Sequence, residues 1–158
     1  MRWYKFSIVL VIGLLLELLI ALPSSLLIKE NGDWLAGLIL PYFAPNSPLL
    51  YGALMEVIYL SSVLSLAFYT EHRGDLPKAL GLTFIEGISE IVTLLFFFEF
   101  TYEITSFFLA TVALLLSAYN CAVFSSKNEI AGITRIPNLL SKLYLWSVLY
   151  CILSINFA

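Results

Sequence analysis

Apolar residues fall along this chain in five long runs, separated by short stretches where charge, proline and glycine collect. The runs cover residues 6–27, 49–69, 79–98, 104–124 and 139–157. A helix rising ~1.5 Å per residue needs ~20 apolar residues to cross the ~30 Å hydrocarbon layer of a bilayer. The pattern therefore predicts five transmembrane helices forming one all-α bundle, a single domain. Pro23 is expected to kink or end the first of them, because proline removes a backbone donor and clashes with the preceding turn. Arg2 and Lys5 precede the first run as they would in a signal peptide. The run is too long for that, holds Glu17 and lacks an A-x-A-like site, so it reads as a span.

The connections are uneven. The first is long and contains Trp34, Pro41, Tyr42, Phe43, Pro45 and Pro48. Its prolines forbid a regular helix and its rings suit the headgroup level, so it reads as a lid or interfacial segment. The third connection, residues 99–103, is short enough to make helices three and four antiparallel neighbours. The fourth runs from Ser125 to Asn138 and carries Lys127, Arg135 and Pro137. With Lys142 counted beside it, seven of the eight basic residues fall at one end of the bundle and only Lys29 at the other. By the positive-inside rule the N-terminus lies on the cytoplasmic or equivalent side.

Composition agrees with this layout. Hydrophobic residues make up 61% of the 158 and charged ones 12%, with a mean hydropathy of +0.95. Soluble domains carry roughly 25% charged residues. The chain is an integral membrane protein by this measure, with the bilayer as its partner. No basic patch suggests nucleic acid. Cys121 and Cys151 lie in apolar runs without metal-ligand spacing and read as packing residues. The single histidine, His72, sits in a charged turn where no catalytic triad can be built around it. No metal ligands and no catalytic residues are assigned, and the chain reads as a binder or carrier rather than an enzyme.

The chemistry lies in the acids. Glu17, Glu56, Glu86 and Glu90 fall near the middles of the first three runs, and a carboxylate at membrane depth is by default a functional hypothesis. Glu86 and Glu90, spaced i and i+4, share a helix face. If both were ionised they would repel, so at least one is expected to hold a proton. No Lys or Arg is expected at comparable depth in any span. The acids are thus left with three kinds of partner: polar side chains on neighbouring helices, a wet cavity or bound cation, or a basic group on a ligand or another subunit, whether in a homodimer or a larger assembly.

In the first connection, Trp34, Leu38, Pro41 and Pro45 stand at the spacings of the TspO/MBR (translocator protein, tryptophan-rich sensory protein) signature, and Tyr59 follows where that family has a helix-two tyrosine. Phe96-Phe97 resembles its paired phenylalanines. Leu139-Leu140, Tyr144-Leu145-Trp146 and Asn156 resemble its last-helix motif. Leu35, Leu40, Asn46, Met55 and Leu143 depart from it. The resemblance implies a five-helix bundle, often dimeric, with a pocket under the first connection for a tetrapyrrole, a sterol or a similar flat apolar ligand. Trp34, Pro41, Tyr42 and Pro45 would form the lid, Glu56, Tyr59 and Glu90 the polar handles, and Trp146 a wall. A second resemblance, through Met55-Glu56 and the stretch Gly87 to Glu99, is to the EXPERA sterol-isomerase-like family, and would make Glu56 and Glu90 acid/base groups. From the acids alone, a proton- or cation-coupled transporter with Glu17, Glu56, Glu86 and Glu90 as relay, or an accessory subunit of a membrane complex, are the other readings.

Overall fold

The computed structural model describes residues 3–30, 37–45, 47–71 and 75–156. All five expected helices form. They are α1 (Trp3–Glu30), α2 (Pro48–Glu71), α3 (Leu76–Leu94), α4 (Glu103–Ser125) and α5 (Glu129–Asn156). A π-helical turn, Leu95–Glu99, extends α3. Each helix is long and apolar enough to cross a membrane, and many leucines, isoleucines and valines lie exposed on their outer faces. An apolar exterior of this kind is consistent with an integral membrane protein.

Local chemistry sets several of the ends. Asp75 caps α3, its carboxylate accepting from the Lys78 N–H at 3.4 Å, and Pro77 sits in the first turn, where its missing donor costs nothing. Helix α1 continues through Pro23 to Glu30, past the expected break. The larger correction is in α5. It begins at Glu129, ten residues before the expected start, and passes through Pro137. Arg135 and Lys142 therefore belong to the bundle and not to a connection. The other six basic residues, by sequence position, still divide five to one between its ends.

Around the bundle the order is α1, α2, α5, α4, α3, with α3 closing back on α1. Helix α5 is held most closely, between α2 and α4. Its inward face carries Ala131, Gly132, Arg135, Asn138 and Lys142, all buried, at the three- and four-residue spacing of one helix face. Asn138 ties three helices together: its amide donates to Ser62 Oγ at 2.6 Å and to the Ile58 carbonyl at 3.2 Å, and its oxygen accepts from Ser117 Oγ at 2.7 Å. Ser65 donates to the Ala131 carbonyl at 2.7 Å.

Where α4 turns into α5, a Cβ on Gly132 would collide with Ser125, including its backbone Cα at 2.9 Å. Backbone cannot rotate away. Gly132→Ala is thus expected to cost about 1–3 kcal/mol of stability, the usual range for overpacking, measured by thermal unfolding in detergent. Gly87→Ala should cost less: there the clash is with the side chain of Ile20 alone, which has other rotamers.

The first connection folds over one end of the bundle. Leu38, Leu40, Phe43 and Ala44 pack against the core between the helices. Two residues of α5 strap it down. The Asn156 amide donates to the Ile39 carbonyl at 2.9 Å and its oxygen accepts from the Ile39 N–H at 2.8 Å, while the Tyr144 hydroxyl donates to the Phe43 carbonyl.

Candidate functional site

A buried charged cluster sits inside the bundle, and its centre is Glu86. One of its oxygens accepts from the Arg135 guanidinium and from Asn120 Nδ2 at 2.5 Å. The other accepts from Lys142 Nζ at 2.7 Å. Lys142 also lies 3.2 Å from Glu90 Oε2. Arg135 is fully buried and stacks on the Phe124 ring, 4.5 Å from its centroid, a contact that a desolvated guanidinium favours. Two acids and two bases make the cluster neutral. Lys142, between Glu86 and Glu90, offsets the repulsion expected between them.

This corrects the premise that no basic group reaches the depth of the acids. Taking Pro137 as a helix breaker leaves Arg135 in a connection and Lys142 in the first turn of the fifth run, near the membrane surface. A proline in a transmembrane helix is tolerated where neighbouring groups satisfy the freed backbone. The signal that points to the buried face is the spacing of polar residues in apolar surroundings: 135, 138 and 142 on α5, and 106, 117 and 120 on α4.

Beside the cluster lies an inner cavity of about 110 Å³, to which all five helices contribute. Its walls are apolar, among them Ile28, Met55, Phe97, Phe98 and Leu149. Glu90 and Lys142 are the charged groups that reach it. The Glu90 side chain keeps 12% of its surface accessible, and its second oxygen has no hydrogen-bond partner among the described residues. Trp146 forms part of the wall, anchored by its indole N–H to Thr111 Oγ1 at 2.9 Å and packed against Phe107. The π-helical turn directs both Phe97 and Phe98 inward. An added residue in a helix commonly re-aims side chains at a functional site.

The other expected site residues are scattered. Trp34 lies outside the described residues. Pro41 and Pro45 are buried in the folded connection, whereas Tyr42 is 99% exposed and covers nothing. Glu56 does not enter the inner cavity. It lies on the outer side of α2, with Glu17 and Tyr59, along a separate groove between α1 and α2. The Tyr59 hydroxyl stands beside Glu90 and Ser24 without making a well-formed hydrogen bond. Glu56 and Glu90, paired under the isomerase resemblance, thus face different spaces. Glu86 and Glu90 find their partners within the chain, which removes the need for a second subunit to neutralise them. Among the described residues no group of three potential metal ligands occurs. Compared with models of known protein families and with curated proteins, the chain matches none.

Proposed function

We propose that this is a TspO-like membrane protein that binds an apolar or amphipathic ligand in the inner cavity, beneath the first connection. The observation that carries the reading is the cavity itself, apolar on nearly every side and bearing one buried ion pair, Glu90–Lys142, with a free carboxylate oxygen. Such a space selects a ligand by an apolar body and orients it by a single polar contact. Its volume of about 110 Å³ suits one ring or a short chain, since a cavity of ~150 Å³ takes up benzene. A tetrapyrrole or sterol would enter with only part of its body unless the first connection lifts. The motif resemblance adds support through Tyr144 and Asn156, the two residues that hold this connection.

Trp146 provides the test. Protoporphyrin IX added to the detergent-solubilised protein is expected to quench tryptophan fluorescence saturably at micromolar concentration. Trp146→Phe should remove most of that signal, and Ala113→Phe, which fills the cavity, should weaken binding at least tenfold. Quenching that stays linear in ligand, or that ignores Ala113→Phe, defeats the reading.

A second reading, a proton- or cation-coupled transporter, is favoured by one observation: Glu17 and Tyr59 line the same outer groove, and the Tyr59 hydroxyl stands beside Glu90, which Lys142 links to Glu86. It requires that Glu90→Gln abolish pH-driven uptake into liposomes while the wild type transports.

A further inference from the structure

The groove between α1 and α2 has a cavity of about 290 Å³, larger than the inner one. It runs from Leu14 and Glu17, near the middle of α1, to Ser25, Ile28 and Gly52 at the end that carries the first connection. Its rim is exposed: Leu14, Leu18 and Leu60 present apolar surface to the outside of the bundle. Its floor is polar and buried, with Glu17 6%, Ser24 1% and Tyr59 9% accessible. Glu56 flanks it from α2.

Charge distinguishes this groove from the rest of the interior. Arg135 and Lys142 are already committed to Glu86 and Glu90. Among the described residues, no Lys or Arg lines the groove. Glu17 and Glu56 therefore face it uncompensated, at a depth where an isolated charge is costly. A second observation is independent of the acids. The Tyr59 hydroxyl, more than nine-tenths buried on the groove's floor, has no hydrogen-bond partner, although a buried hydroxyl ordinarily finds one. The Ser24 hydroxyl gives its proton to the Ile20 carbonyl at 2.9 Å, so it has none to donate to the Tyr59 oxygen.

The geometry points to a second binding site in this groove for a hydrophobic amine: a protonated amino group held by Glu17 and Glu56, with the Tyr59 oxygen as acceptor, and an apolar body lying along the leucine rim. An ammonium group carries several donors and no acceptor, which matches a floor of carboxylates and a hydroxyl oxygen. Its charge supplies the compensation the groove lacks. The open rim lets such a molecule enter sideways from the bilayer without disturbing the first connection or the inner cavity. The site therefore does not depend on the inner-cavity reading.

The test is a titration of the full-length protein in detergent with dodecylamine and with its neutral counterpart dodecanol, followed by native mass spectrometry. One dodecylamine adduct is expected, with dodecanol at least tenfold weaker. Glu17→Gln, nearly isosteric, should weaken the amine at least tenfold and leave the alcohol unchanged. Gly52→Phe should exclude both: a Cβ at Gly52 meets nothing within 4 Å, so the ring enters the groove without disturbing the helix. Should Gly52→Phe fail to fold, Glu17→Gln and the amine–alcohol comparison decide alone. Equal binding of amine and alcohol, or amine binding indifferent to Glu17→Gln, overturns the proposal. So does loss of the amine on Ala113→Phe but not on Gly52→Phe, which would seat it in the inner cavity. A two-chain species that Gly52→Phe splits and dodecylamine leaves intact would make the groove a subunit interface, and would equally overturn it.

Discussion

Replacing Glu86 with glutamine is expected to lower the unfolding free energy by about 3–5 kcal/mol, the cost of breaking a buried ion pair by removing one partner. Glu86 is the acceptor for Arg135, Lys142 and Asn120 at once. Without its charge, two cations remain inside the bundle with only Glu90 between them. Arg135 has no alternative, since its other two guanidinium nitrogens already lack hydrogen-bond partners and its remaining contact is the Phe124 ring. The imbalance, and not the lost contacts, sets the size of the effect. The double variant Glu86→Gln/Arg135→Met, which restores neutrality around Glu90 and Lys142, should therefore recover most of the loss. Unfolding by denaturing detergent, followed by circular dichroism, measures both. A single-variant loss below about 1 kcal/mol, the level of a solvent-exposed pair, would mean that water reaches the cluster.

The five helices were legible because their length is dictated by the bilayer, and a run of twenty apolar residues leaves few alternatives. Four of the five expected helix starts fall within a few residues of those observed. The start of α5 does not, and the miss carried the chemistry with it. Local rules make Pro137 a breaker, with Lys127 and Arg135 in a basic connection and Lys142 beside it. Tertiary context overrides them: the carboxylates of α3 give Arg135 and Lys142 a reason to be inside. Neither half of that pairing is visible from its own stretch of sequence. The acids alone suggested protons, cations or foreign partners, and the bases alone suggested a membrane-surface loop. The same limit explains Glu56. Its depth could be read from the sequence, but the side of α2 on which it falls follows from how α2 packs against α1 and α5. Asn138, which joins α2, α4 and α5, was passed over because a single asparagine at the edge of a run resembles a helix boundary.

The second large effect separates stability from binding. Lys142→Met alone should destabilise the bundle by about 3–5 kcal/mol, because Glu90 loses its one cation and Glu86 keeps only Arg135. Adding Glu90→Gln brings the cluster back to one acid and one base. Replacing a buried ion pair by uncharged groups of similar size is often neutral, and sometimes stabilising by about 1–4 kcal/mol. Lys142→Met/Glu90→Gln should therefore unfold no more readily than the wild type. Its ligand binding should fall at least tenfold, since the cavity would have lost the pair that orients a polar group within apolar walls. Unfolding and Trp146 quenching, measured on one preparation, read the two quantities independently. If the double variant is as unstable as Lys142→Met, charge balance does not govern the cluster. If it is stable and still binds as the wild type does, the Glu90–Lys142 pair serves the fold and the ligand is held by the apolar walls alone. A stable bundle that no longer binds is the result the proposed function requires, because a buried ion pair adds little to folding that methionine and glutamine could not supply.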